Sequence, residues 1–159
     1  MIRVQQEDFD IGAELAALSA GDTTIGGVAS FTGLVRDMTP IEGADRSIST
    51  MTLEHYPGMT EKKLSEIEAE ANQRWPLAAS LIIHRYGTLA PGDQIVFVAC
   101  ASAHRQAAFD ACQFLMDWLK TDAPFWKLEY TDTGGVWVEA RDSDDAAAAH
   151  WSKDPSDAA

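Results

Sequence analysis

The chain is poor in cysteine and in basic residues: two Cys, five Lys and seven Arg among 159 residues. Cys100 and Cys112 form no CxxC pair, and each sits in an apolar segment rather than a Cys/His cluster. That removes the spacing on which a metal site or redox dithiol is built, and two buried thiols are expected. Neither cysteine stands in basic surroundings, which argues against a cysteine nucleophile or a persulfide carried on this chain. Set against 25 Asp and Glu, the scarcity of cations leaves a formal charge of −13. Such a field repels nucleic acid and anionic membrane, so any anionic substrate must meet a local basic pocket. No apolar run approaches the roughly 20 residues that span a bilayer. The opening MIRVQQEDFD has acids where a signal peptide has basic and apolar regions. P-loop, GxGxxG, Ser/His/Asp order and metal-ligand spacing are all missing. The expectation is a soluble protein of a reducing cytoplasm, with no bound cofactor.

What is present is enough apolar content, 46%, for one domain to build a core unaided. IRVQ reads as a short strand, and Asp10 to Ser19 as a short helix with Ile11, Leu15 and Leu18 on one face. GGVASFTGLV, Gly26 to Val35, reads as a glycine-interrupted strand, and Arg36 to Ser47 as a polar loop. ISTMTLEHY predicts a strand, followed by the Pro57-Gly58 breaker and a helix opening at Thr60. Leu64, Ile67, Ala71 and Trp75 mark the buried stripe of that helix, and Pro76 helps to end it. SLIIHRYG and QIVFVACA predict an antiparallel pair joined through Ala90-Pro91-Gly92-Asp93. The longest helix spans about Ala103 to Lys120. FWKLEY and VWVEA predict a hairpin across Thr131 to Gly135. Residues 1–151 are thus expected to form one α+β domain: a mostly antiparallel sheet with two helices packed on one face, and a small β-hairpin extension. Residues 152–159 read as a disordered acidic tail.

Three places could carry chemistry. Ser102-Ala103-His104-Arg105 lies where a strand gives way to the long helix, and free N–H groups, a positive dipole end and two charge-assisted donors suit a phosphate there. Equally, Ser102 could cap the helix while the other two side chains are merely solvated. Lys120 and Lys127 bracket the turn TDAPFW. A lysine at a helix C-terminus complements the dipole, which explains Lys120 without function. Lys127, in an apolar strand, is either a partly desolvated ammonium suited to nucleophilic or proton-transfer chemistry or an edge-strand lysine that blocks aggregation. Arg36, after FTGLV, can clamp a phosphate or carboxylate. His55 and His84 read as packing or hydrogen-bonding residues.

Taken together, FTGLVRD, LEHYPGMTEKKL, RWPL, IIHRYGTLAPGD, IVFVACASAHR, FLMDWLKTDAPFWK and WVEAR follow one another in an order that resembles molybdopterin synthase large subunits, over roughly Gly26 to Trp151. The resemblance implies an α/β-hammerhead type of fold. It also implies a sulfurtransferase that converts cyclic pyranopterin monophosphate to molybdopterin, the sulfur arriving on the C-terminal thiocarboxylate of a small ubiquitin-like subunit. A sulfur source on another protein agrees with the lack of a motif cysteine here. Lys120 and Lys127 are implied as catalytic, and Arg36, His104, Arg105 and Arg141 as binding the anionic substrate. Phe31 and Met116 are implied to line the pocket, with Leu34, Val35, Leu128 and Glu129 flanking it. Leu34 and Leu128 stand where the resemblance implies basic neighbours, so substrate contacts there are expected to be backbone-only or reduced. The expected mechanism groups Arg36, His104 and Arg105 around the phosphate while the lysines handle charge at the reacting sulfur. A module that binds a ubiquitin-like tail or small anion without turning it over, and a purely structural oligomerising domain, are the alternatives from other classes.

Helix geometry adds a constraint. His104 and Lys120 are 16 residues apart on one predicted helix, about 24 Å at 1.5 Å per residue. If both serve one small substrate, one of them comes from a second copy of the chain. The expectation is a two-fold homodimer with composite sites, and the resemblance implies a small subunit at each end of it.

Overall fold

The computed structural model describes residues 1–36, 50–121, 123–131, 134–138 and 149–151. In chain order these form β1 (Ile2–Gln5), α1 (Ile11–Ser19), β2 (Gly27–Leu34), β3 (Thr50–His55), α2 (Met59–Arg74), β4 (Leu77–Arg85), β5 (Gly87–Leu89), β6 (Gln94–Ser102), α3 (Arg105–Thr121), β7 (Phe125–Thr131) and β8 (Gly134–Val138). The expected loop at 37–47, the 152–159 tail and Arg141 lie outside the described residues.

The α+β class and every expected strand and helix are present, but the strands divide into two four-stranded sheets instead of one. The first has the order β1-β4-β6-β2 and the second β5-β3-β7-β8. The division happens between β4 and β6. These two strands pair antiparallel, with Ile82 opposite Val98 and His84 opposite Val96, as the turn signals between them suggest. On the way, however, the chain leaves the first sheet at Gly87, whose φ of 91° suits glycine, and lays β5 against β3. The β7–β8 hairpin therefore completes a second sheet and is not a small appendage.

Alternation along β4 and β6 sorts the core into two layers. Ile82, Val96, Val98 and Cys100 face α2 and α3, meeting Leu64, Ile67, Ala71, Ala108, Ala111, Phe114 and Leu115. Leu81, Ile83, Phe97 and Ala99 face the other way, onto Phe9, Ile11, Leu15 and Leu18. Two helices do share one face of the sheet, and α1 covers the opposite face. A third cluster, Val35, Met51, Leu53 and Leu89, joins the two sheets.

Local chemistry sets the helix ends. The Asp10 carboxylate accepts the Ala13 N–H at 2.9 Å to cap α1. At the start of α2 the Gly58 N–H donates to the Glu61 carboxylate at 2.6 Å. Trp75 ends that helix in an extended conformation (φ −130°, ψ 147°), as a residue before proline must. It is half-buried, and packs on Phe114 (5.3 Å between ring centroids) and Trp151 (5.6 Å). The Trp151 indole N–H donates to Asp117 at 2.7 Å, and Arg74 donates to the Trp151 carbonyl at 2.8 Å, tying residues 149–151 to both long helices.

The tightest joint in the first sheet is at the β6–α3 connection. The Gly26 N–H donates to the Ser102 carbonyl, and a Cβ at position 26 would fall 2.2 Å from the Ala103 carbonyl oxygen. Gly26→Ala is expected to cost about 1–3 kcal/mol through forced backbone displacement, read as a fall in Tm of roughly 2–4 °C per kcal/mol for a chain of this size. An unchanged Tm would show that the joint yields freely.

Candidate active site at the ends of α3

Because β2 pairs antiparallel with β6, Gly27 lies opposite Ser102 and Leu34 opposite Gln94. Arg36, just beyond β2, therefore sits at the Gln94 end of β6, while His104 and Arg105 follow its Ser102 end. Nine residues of strand put these ends about 27 Å apart. The expected grouping of Arg36 with His104 and Arg105 does not form within one chain. The reason is topological: the turn at 103–104 sends α3 back over β6 and β2, so its first turn and the end of β2 fall at opposite ends of these neighbouring strands.

Arg36 instead shares an end of the molecule with the lysines. Val35 is held between the Asp93 carbonyl and the Gly92 N–H at 2.8 and 2.7 Å, and its side chain packs on Met51 and Leu53 of β3. Lys127 is directly opposite Leu53 across the β3–β7 ladder. Cross-strand partners point to the same face, so Lys127 stands on the face of the second sheet that meets Val35. It is partly buried. β7 lies between β3 and β8, which excludes the edge-strand explanation for this lysine. Lys120 is exposed in the last turn of α3, at the same end. Leu128 is opposite Thr52, and Glu129 opposite Met51.

At the other end, His104 and Arg105 are both exposed. The buried Ser102 hydroxyl donates to the Pro76 carbonyl at 2.8 Å, and its oxygen accepts the His104 N–H at 3.4 Å. Ser102 thus ties the junction to the end of α2, and the helix itself starts only at Arg105. Between the two ends, Phe31 shares the α3-facing side of β2 with Ala29 and remains 43% exposed; Leu34 is 54% exposed. Met116 packs partly against the same core. Arg105, Phe109, Met116 and Lys120 fall within about 60° of one another around α3 at 100° per residue. Phe109, 60% exposed, is the member of that stripe absent from the sequence reading. A large apolar residue four positions after Arg105 is the signal that could have found it.

The cysteines take no part. Burial pushes the Cys100 thiol up to about 12 and Cys112 to about 11, and the Cys112 thiol lies 3.9 Å from the Val98 carbonyl. His84 is a packing residue, as its sequence setting suggests. Burial lowers its pKa to about 4, opposed by the Arg85 carbonyl and helped by nearby His55. A carbonyl can only accept, so Nδ1, 2.9 Å from the Arg85 oxygen, carries the proton. His55 stacks near Tyr86 (4.2 Å) and lies 3.8 Å from Glu61. Among the described residues no group of three or more His, Cys, Asp or Glu could hold a metal, and no helix is long and apolar enough to cross a membrane.

The family model described as MoaE protein matches residues 4–122. The chain belongs to the MoaE family. It is 61% identical to the molybdopterin synthase catalytic subunit of Pseudomonas aeruginosa over 150 residues, which cover 94% of this chain and 97% of that protein. The solved molybdopterin biosynthesis MoaE protein of Burkholderia ambifaria superposes with a TM-score of 0.81 at 52% identity, covering 97% and 99% of the two chains. A protein–protein complex of subunits 1 and 2 of molybdopterin-converting factor from Helicobacter pylori shares the fold (TM-score 0.71, 88% and 91% covered) at 18% identity. The strings around both ends of α3 lie within or just beyond the matched span.

Two outcomes test this description of the buried groups. Folded protein at pH 8 should leave both thiols unlabelled by iodoacetamide while urea-unfolded protein reacts at both; rapid labelling of the native chain would contradict their burial. The fold keeps His84 neutral down to about pH 4, whereas the unfolded chain takes up that proton near 6.5. The unfolded state binds more protons in this window, so stability is present above pH 6.5 and falls as the pH drops towards 4, by about 3 kcal/mol at most. In urea titrations at pH 7 and 4.5, His84→Phe should lose less stability between the two than wild type does; equal losses would remove His84 as the cause.

Proposed function

We propose that this chain is the catalytic subunit of a molybdopterin synthase. It transfers sulfur from the C-terminal thiocarboxylate of a small ubiquitin-like protein to cyclic pyranopterin monophosphate, forming the dithiolene of molybdopterin. The observation that carries the reading is the 61% identity to a molybdopterin synthase catalytic subunit across nearly both whole chains, with Lys127 on the sheet face that meets Val35 and Lys120 at the nearby end of α3 in support. Each transfer forms a carbon–sulfur bond between the carrier's thiocarboxylate and the pterin side chain. Water then cleaves the resulting thioester, leaving sulfur on the pterin and a carboxylate on the carrier. Negative charge grows first on the departing pterin oxygen and then on the thioester carbonyl oxygen, and ammonium groups stabilise both. Lys120 and Lys127 are assigned to that work. Arg36, His104, Arg105 and Arg141 are assigned to the anionic substrate, and Phe31, Leu34, Val35, Met116, Leu128 and Glu129 to the pocket wall.

The partner is a carrier protein with a thiocarboxylated Gly-Gly end, and the complex is a homodimer with one carrier at each end, working in the cytoplasm. Residues 1–151 act as one domain. The geometry of α3 supports the dimer, since His104 and Arg105 lie a helix length from Lys120 and a small pterin phosphate cannot bridge them within one protomer. An antiparallel crossing of two α3 stripes about a two-fold axis midway between residues 112 and 113 sets Arg105 of one protomer beside Lys120 of the other, and Phe109 against Met116. Each pocket then holds cations from both chains.

Lys120→Ala and Lys127→Ala are each expected to lower dithiolene formation at least about 100-fold, from precursor and thiocarboxylated carrier in a single turnover. A wild-type rate in Lys120→Ala would remove the core of the reading. Composite sites make a separate prediction. Arg105→Ala and Lys120→Ala chains, each impaired alone, should complement when unfolded and refolded together. Half the dimers are then mixed and one of their two sites is intact, giving about a quarter of wild-type activity; no recovery would place both residues in one protomer's site.

A further inference from the structure

Lys120 and Lys127 belong to different elements, and their separation depends on where β7 begins relative to the end of α3. Two buried side chains from elsewhere in the chain hold that start. Thr60, in the first turn of α2 and fully buried, donates its hydroxyl proton to the Pro124 carbonyl at 3.3 Å and accepts the Tyr56 N–H at 3.2 Å. One hydroxyl therefore links the end of β3, the start of α2 and the turn between the lysines. His84, at the end of β4 in the other sheet, stacks its ring on Phe125 at 3.6 Å between centroids and 15° between planes. Its orientation is set by the Nδ1–H bond to the Arg85 carbonyl. Phe125 lies opposite His55, and Lys127 opposite Leu53, so Phe125 and Lys127 share a strand face two residues apart. Clamping the Phe125 ring fixes the face, height and direction of Lys127. The Phe125 N–H also donates to the Ala123 carbonyl at 2.8 Å, closing the turn back towards α3.

We propose that Thr60 and His84 are positioning residues for sulfur transfer, holding Pro124 and Phe125 so that the ammonium groups of Lys120 and Lys127 meet one reacting centre. Neither needs to touch substrate. A threonine in the first turn of a helix and a buried histidine are both ordinary structural features when taken singly. What distinguishes them here is that they grip adjacent residues of the one turn that separates the two lysines, from two different sheets' worth of scaffold. A neutral ring at position 84 also suits this role, because an imidazolium there would stand beside the cationic pocket and oppose it.

The inference rests on the sulfur-transfer reading, and the test separates the two. Thr60→Val keeps the branched shape and removes the hydroxyl; Thr60→Ser keeps the hydroxyl. With the full-length chain, thiocarboxylated carrier and cyclic precursor, single-turnover transfer by Thr60→Val is expected to fall roughly 10–100-fold, as about 1 Å of misplacement allows. Affinity for the carrier should stay within about twofold, since Thr60 and His84 are both buried and present no surface to it, and Thr60→Ser should recover the rate to within about threefold. His84→Leu, which removes the stack, should lose the rate with unchanged carrier affinity, and His84→Phe, which keeps a ring on Phe125 but lacks the Nδ1–H bond to the Arg85 carbonyl, should lose less. A wild-type transfer rate in Thr60→Val and His84→Leu overturns the positioning role while leaving the function intact. A loss that tracks thermal stability across the set, with no recovery in Thr60→Ser, overturns it in favour of simple destabilisation. A wild-type chain that binds carrier but makes no dithiolene overturns the function itself, and this inference with it.

Discussion

The arrangement turns on one rigid constraint: a 17-residue helix laid back over the strand that precedes it. Strand β6 ends at Ser102, two residues turn the chain, and α3 returns across β6 and β2 with Ala108, Ala111 and Leu115 buried against Val98 and Cys100. An α-helix curves gently but cannot be shortened without losing its hydrogen bonds, so the groups at its two ends stay about a helix length apart. Each of the candidate basic residues among the described ones is then assigned to an end. His104 and Arg105 fall at one, and Lys120, Arg36 and Lys127 gather at the other. A substrate smaller than the helix is served by both sets only where two chains meet, and the division of cations follows from packing, not from any property of the cations themselves.

Charge gives the same arrangement a second meaning. With 12 basic against 25 acidic residues, the chain as a whole repels anions, so attraction of a phosphate ester must be local. Several of the few cations do lie at the helix ends, where the proposed function needs such local attraction, and an acidic remainder discourages polyanions. The sulfur chemistry fits this economy. The two thiols are buried and held far above neutral pH, which fits the proposal that the nucleophile comes with a partner while this chain contributes positioning and charge.

Much of the fold was legible in the order of residues. The stripe Leu64, Ile67, Ala71, the glycine and aspartate at helix starts, and Pro76 after Trp75 each act through neighbours within a few positions, and each appears where its local chemistry puts it. The continuous apolar runs of SLIIHR and IVFVACA were likewise enough to identify two buried strands. The division into two sheets was not, because β5 is only three residues long and its membership in the second sheet depends on β3, more than 30 residues earlier. The face taken by α1 was hidden for the same reason: unbroken apolar runs say that β4 and β6 are buried on two faces, not which helix covers which.

For the site, the sequence alone determined the residue types: a lysine pair around APFW, an arginine after FTGLV, a His-Arg step at the strand–helix junction, and strings specific enough to name the family. Tertiary structure alone decided their grouping. Arg36 left His104 and joined the lysines because β2 runs antiparallel to β6, and Lys127 became an interior-strand residue because β8 adds beyond β7. Thr60 and His84 gained a role only when a hydroxyl 64 positions from Pro124 and a ring 41 positions from Phe125 came to rest on one turn. Local patterns follow from short-range sterics and hydrogen bonding, whereas such meetings follow from the whole chain burying its apolar surface at once.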